Sequence, residues 1–164
     1  MIIFLKNKYT LVVDDFYFKC CVGKNGVTTQ KVEGDKKTPT GTFKIEHLYY
    51  RKDRVNLPEL ALKCIKITKK MGWCDDSKSK KYNRLIKYPF AFSSEKLFRK
   101  DNVYDIILVL NYNMNPTKKY KGSAIFIHIA KKKYDATEGC VAIKKVNLLK
   151  LIKSLKKNTK IKIL

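Results

Sequence analysis

No stretch of this 164-residue chain approaches the roughly 20 consecutive apolar residues that cross a bilayer, which excludes a transmembrane helix. The amino terminus, MIIFLKNKYTLVVDD, has four apolar residues after Met1 before Lys6 interrupts them. It carries neither a basic leader nor a small-residue cleavage site, so a secretory signal is not expected. The five cysteines (Cys20, Cys21, Cys64, Cys74 and Cys140) include no Cys-x-x-Cys pair, against both a zinc site and a thioredoxin-type motif. An odd thiol count without a signal points to a reducing compartment. A cytoplasmic protein is therefore expected, or a periplasmic one if another export route serves it. Histidine is scarce too: His47 has no partner in sequence and reads as structural. No histidine joins the adjacent pair Asp75-Asp76, so neither a metal nor a cofactor is expected.

Acidic residues are also few, 14 against 37 basic ones, for a net charge of +23. Only four of the basic residues are arginine. Lysine, isoleucine, asparagine and tyrosine are all favoured by AT-rich codons, so composition accounts for much of the excess. A nucleic-acid reader concentrates its charge on one face and uses arginine for base edges and phosphate forks. The lysines here are spread along the chain, and no specific nucleic-acid partner is expected. The charge reads first as a solvated surface, second as an attractor of carboxylate-rich substrates, RNA or anionic membranes.

The hydrophobic content, 45%, is that of a folded domain, and the length fits one, spanning 1–164. Period-two and continuous apolar runs dominate, which predicts a mainly β fold. Strands are expected at 1–6, 9–13, 16–22, from Val27, at 42–50, 60–68, 103–110 and 123–130, just after Cys140, and in the terminal TKIKIL. Gly23-Lys24-Asn25-Gly26 predicts a hairpin joining 16–22 to the strand from Val27. Leu148, Leu149, Ile152 and Leu155 predict one late helix in VNLLKLIKSLKK. A second, short helix is expected from Ser94 to Arg99, capped by Ser93 or Ser94. The polar, turn-rich segment 71–102 reads as an irregular, lid-like insertion, ordered by its aromatic residues. There is no internal repeat and no flexible linker.

Two residues carry the possible chemistry. His128 lies inside the apolar run AIFIHIA, sharing a face with Phe126 and Ala130; it is either a hydrogen-bonded core residue or a base. Cys140, in ATEGCVAI, is either an inert thiol or a nucleophile. Gly139 permits a tight turn and a close substrate approach. The N–H groups of Gly139 and Cys140 could then converge on an oxyanion. A histidine within hydrogen-bond reach would lower the thiol pKa and generate the thiolate.

Together, His128, the box Thr137-Glu138-Gly139-Cys140-Val141 and the earlier box GDKKTPTGTFKI (34–45) resemble the L,D-transpeptidase (YkuD-type) catalytic domain. The likeness runs over roughly residues 1–157. It implies a β-sandwich of that type with Cys140 as nucleophile, His128 as base and the Gly139 and Cys140 N–H groups as oxyanion donors. The chain departs from the pattern at Ile129, Thr137, Glu138 and Ala142, the last replacing an arginine. Arg84 or Arg99, from the insertion, is expected to supply a fork for a substrate carboxylate instead. Trp73 is expected either to stack on substrate or to build a small satellite core. Thr137 and Glu138 join the expected substrate-binding set. The Thr-Pro-Thr-Gly box reads as a turn fixed by Pro39 and closed by Gly41.

The implied reaction is acyl transfer on peptidoglycan stem peptides: attack on the carbonyl of an L-centre joined to a terminal D-alanine, through a thioester. With a cytoplasmic location, hydrolysis of recycled muropeptides (L,D-carboxypeptidase action) is expected, with 3→3 cross-linking as the alternative. A basic β-domain that binds RNA or polyanions without catalysis is the second alternative.

Overall fold

A computed structural model describes residues 1–164. In chain order the strands are β1 (Ile2–Asn7), β2 (Thr10–Val13), β3 (Phe16–Cys21), β4 (Val27–Thr28), β5 (Thr38–Pro39), β6 (Gly41–Tyr50) and β7 (Cys64–Lys66). They continue with β8 (Met71–Cys74), β9 (Leu85–Lys87), β10 (Ser94–Lys96), β11 (Ile106–Leu110), β12 (Phe126–Ile129) and β13 (Val141–Ile143). Helix α1 (Lys145–Ser154) and strand β14 (Lys160–Ile163) complete the chain. The mainly β reading with one helix holds.

The main sheet runs β11-β12-β13-β3-β2-β1-β14-β6-β7, and an additional pairing of β11 with β6 closes it into a ring. The long strand β6 makes the closure possible: Gly41–Lys44 pair with β14, while Ile45–Tyr50 pair with β11. Opposite Val109 and Leu110, β6 carries one extra residue, Glu46, between His47 and Ile45, an irregularity of the kind that bends a strand at sheet corners. Alternation fills the interior. Ile3 and Leu5 of β1, Leu11 and Val13 of β2, and Ile161 and Ile163 of β14 point into a core of 25 buried residues. On α1, Leu148, Leu151 and Ile152 are buried, joined by Leu155 just beyond the helix end. The inward stripe thus uses Leu151 where the sequence pointed to Leu149, which is only partly buried.

β11 and β12 are buried on both faces, which is why they read as continuous apolar runs. Ile106, Leu108, Leu110, Ile127 and Ile129 face the main core; Ile107, Val109 and Phe126 face a second one with Trp73, Tyr49, Tyr104 and Leu97. That second core fastens the 71–102 insertion to the ring. The insertion folds as a three-stranded antiparallel sheet, β10-β8-β9. The short helix expected at 94–99 does not form. Ser94–Lys96 pair instead with Gly72–Cys74, and so short a segment lacks the length at which a helix sustains itself.

The expected hairpin at 23–26 is also revised. The turn exists, with the Gly26 N–H donating to the Gly23 carbonyl at 2.8 Å. However, β4 pairs in parallel with β5, because the free edge of β3 is taken by β13 through Cys21 and Ala142.

Candidate active site

β12 and β13 are parallel neighbours, with His128 opposite Ala142. Val141 and Ile143 point into the main core, so Ala142 and Cys140 point the other way, onto the face that carries Phe126 and His128. Cys140 and His128 are therefore diagonal neighbours on one face of adjacent strands. Strand spacing and rise set such Cα positions roughly 8 Å apart. Both side chains line one cavity of about 280 Å³, which the ring bounds on one side and Asp75, Glu95 and Arg99 of the insertion on the other.

The ring nitrogen Nδ1 of His128 lies 3.0 Å from the carbonyl oxygen of Ile129. A carbonyl only accepts, so Nδ1 carries the proton and Nε2 keeps its lone pair. Tyr104 packs edge-on against the ring, centroids 5.4 Å apart, and its hydroxyl donates to Glu95 Oε1 at 2.6 Å. Burial lowers the His128 pKa to about 4, with the Arg99 charge acting in the same direction. The imidazole is neutral at neutral pH.

The Cys140 thiol donates to the Ala124 carbonyl at 3.1 Å, and its sulfur accepts from the Phe126 N–H at 3.4 Å. Burial pushes the thiol up to about 12, and the Glu95 charge adds to the shift; the Phe126 N–H and Lys31 oppose it. The free site therefore holds a neutral thiol beside a neutral imidazole. No hydrogen bond joins the two side chains in the free site, and burial dominates both.

The backbone of the nucleophile is clamped by two buried hydroxyls. Thr137 Oγ1 donates to the Cys140 carbonyl at 2.6 Å and accepts from the Gly139 N–H at 3.1 Å. Thr38 Oγ1 accepts from the Gly23 N–H at 2.9 Å and donates to the same Cys140 carbonyl at 3.4 Å. The Thr-Pro-Thr-Gly box thus does more than turn the chain. Gly139 has φ of 140°, and a Cβ there would stand 3.0 Å from the Lys37 carbonyl oxygen, so the position requires glycine. Its N–H is committed to Thr137, which revises the expected pair of oxyanion donors. The Cys140 N–H meets no acceptor within the chain and remains free for a substrate oxygen.

Of the expected substrate-binding residues, Arg99, Thr137 and Glu138 line the cavity. Arg99 grips Asp101 with two hydrogen bonds, at 2.9 and 2.6 Å, and stands at the cavity that Ala142 also lines. Glu138 is exposed and pairs with Lys36 at 3.2 Å. Arg84 is elsewhere: its guanidinium donates to the Met114 carbonyl and pins the 111–116 loop. Trp73 is buried in the second core, stacked edge-on against Phe126 at 5.2 Å, and its indole N–H donates to Asn83 Oδ1 at 3.0 Å. It supports the site from behind and does not reach the cavity.

Several cavity residues gave no signal in the sequence. Glu33, Glu95 and Tyr104 come from three distant segments, and Asp75 belongs to the pair to which the sequence assigned no metal. Asn83 is a further one: its Oδ1 accepts from both Trp73 and the Ala124 N–H, tying the insertion to the residue that receives the thiol.

The sequence model of the L,D-transpeptidase catalytic domain (YkuD) matches residues 1–163. The chain belongs to that family, whose members are cysteine-dependent acyl transferases acting on peptidoglycan peptides. No curated protein matches the chain. No helix is long and apolar enough to cross a membrane.

Proposed function

We propose that this chain cleaves the bond between the L-centre of the third residue and the terminal D-alanine of a peptidoglycan tetrapeptide, with water as the final acceptor: an L,D-carboxypeptidase. The observation that carries the reading is the disposition of Cys140 and His128 on one face of adjacent parallel strands, opening into one cavity.

Because thiol and imidazole are both neutral at rest, proton transfer accompanies attack. As Sγ approaches the substrate carbonyl, its proton passes to His128 Nε2. The Nδ1–H···O=C bond to Ile129 steadies the imidazolium so formed. The carbonyl oxygen takes the negative charge and accepts from the Cys140 N–H. Collapse expels the D-alanine amine, which takes the proton from His128, and a thioester remains on Cys140. Water, deprotonated by the same imidazole, then releases the tripeptide.

Two features support this substrate and acceptor. Five of the chain's 14 acidic residues (Glu33, Asp75, Glu95, Asp135 and Glu138) line the cavity, a setting suited to an ammonium-bearing third residue such as meso-diaminopimelate. The volume, about 280 Å³, is at the low end for ligand sites and suits one stem end better than two. The test is incubation with free tetrapeptide or a muropeptide, with and without an amine acceptor, followed by mass spectrometry. Tripeptide and D-alanine without acceptor are expected. A cross-linked dimer as sole product would replace hydrolysis with 3→3 transpeptidation. Salt-sensitive RNA binding with no peptide turnover would favour the non-catalytic alternative.

A further inference from the structure

Beside the catalytic cavity lies a second groove, of about 550 Å³. Six of its lining residues are cationic: Arg51, Arg54, Lys69, Lys96, Arg99 and Lys100. The other two are Tyr88 and Phe98, and no carboxylate lines it. Lysine is so common in this chain that lysines alone would mean little. Arginine is not: there are four in the sequence, and three of them line this groove. A composition-driven surface does not explain that concentration.

The arginines form a rigid base. Arg51 grips Asp53 through two hydrogen bonds, at 2.8 and 2.6 Å, and lies over the Phe98 ring at 3.5 Å. Arg54 pairs with Asp105 at 3.1 Å and donates to the carbonyls of Lys100 and Asp101. The charges of these two arginines are thereby largely offset. Lys69, Lys96 and Lys100 have no ion-pair partner, so the groove keeps an uncommitted positive charge. Arg99 lines both the groove and the catalytic cavity, so the two adjoin at its side chain.

An extended peptide whose scissile bond lies at Cys140 occupies the acidic cavity with its ammonium-bearing residue. We propose that the adjoining groove is a carboxylate subsite, taking a free carboxylate that the same stem peptide carries on the amino-terminal side of the scissile bond. This rests on the peptidoglycan acyl-transfer reading. The site is then bipolar: carboxylates of the cavity meet the ammonium, and lysines of the groove meet the acid. Exposed charges act over about 8–10 Å at moderate salt, so the effect belongs to binding and weakens as salt rises.

Two tetrapeptides, identical except that the second residue bears a free carboxylate in one and a carboxamide in the other, test the assignment. The wild-type protein should favour the carboxylate peptide about tenfold in kcat/KM, through KM, and lose that preference at high salt. Lys96→Gln/Lys100→Gln should bring the ratio close to one, and Lys96→Arg/Lys100→Arg should restore it; thermal midpoints confirm that both variants fold. Equal use of the two peptides by the wild type, or an unchanged ratio in the glutamine variant, overturns the subsite while leaving acyl transfer standing. Absence of turnover on either peptide overturns the underlying reading and the subsite with it. An RNA oligonucleotide that protects these lysines while the peptides are not discriminated would also overturn it, in favour of a polyanion surface.

Discussion

The hydroxyl of Thr137 donates to the carbonyl oxygen of Cys140 at 2.6 Å, closing a four-residue turn through Gly139. The same carbonyl receives Thr38, which comes from the other end of the domain's sequence. Two hydroxyls therefore fix the peptide plane behind the nucleophile and, with it, the direction of the Cys140 side chain.

Thr137→Val leaves the Gly139 N–H without an acceptor, and Thr38→Val does the same to the Gly23 N–H. Each should cost about 1–3 kcal/mol of stability, the usual penalty for an orphaned buried donor. Each should also lower turnover about tenfold or more, because the thiol loses its orientation. Thr→Ser at either position should retain most of both. Thermal denaturation and tetrapeptide turnover, measured on the same preparations, check this.

The pH dependence of thiol alkylation follows from burial. A thiol raised to about 12 is protonated below that pH, so its reaction with iodoacetamide should be slow at pH 7. The rate should go on rising with pH past the range of an ordinary cysteine. A plateau with a midpoint near or below pH 7 would mean a resting thiolate–imidazolium pair, against the geometry described.

His128 also links stability to acid. Its pKa falls from 6.5 to about 4 in the fold, so the unfolded chain binds a proton more readily between those values. Stability therefore declines as pH drops from 6.5 to 4, by about 3 kcal/mol from this group. His128→Gln should flatten the slope of unfolding free energy in that window. Asp35 and Asp101, whose pKa values are lowered by partners that include Lys31 and Arg99, still contribute their loss at lower pH. Denaturant titrations at several pH values give the comparison.

The strands around the chemistry were legible because β11 and β12 are continuous apolar runs, with His128 inside β12 and Cys140 directly before β13. What escaped was long-range pairing. Nothing local told that β4 would join β5, since the outcome depended on β13 occupying the edge of β3. Ser94–Arg99 has a cap and charges suited to a helix, yet its backbone is claimed by β8. Arg84 and Arg99 were equivalent as sequence; only the fold sends one to Met114 and the other to the cavity. The resting protonation state was likewise invisible, because burial is a property of the assembled insertion.

Asn83 tests how far the insertion supports the nucleophile. It is almost fully buried, and its amide makes four hydrogen bonds: from Trp73 and Ala124, and to the carbonyls of Tyr112 and Asn113. Ala124 has φ of 53°, a conformation that alanine holds only under constraint. Asn83→Ala should cost about 3 kcal/mol and reduce turnover even where the protein remains folded, since the acceptor of the Cys140 thiol is released. Unfolding midpoints together with turnover well below the midpoint separate the two effects.

The proposed chemistry passes through a thioester between Cys140 and the stem peptide. Intact-protein mass spectrometry after rapid acid quench of a tetrapeptide reaction tests it most directly. An adduct of the acyl tripeptide mapping to Cys140 and released D-alanine are expected, and neither in a folded Cys140→Ala variant. D-Alanine release by that variant at the wild-type rate would contradict it.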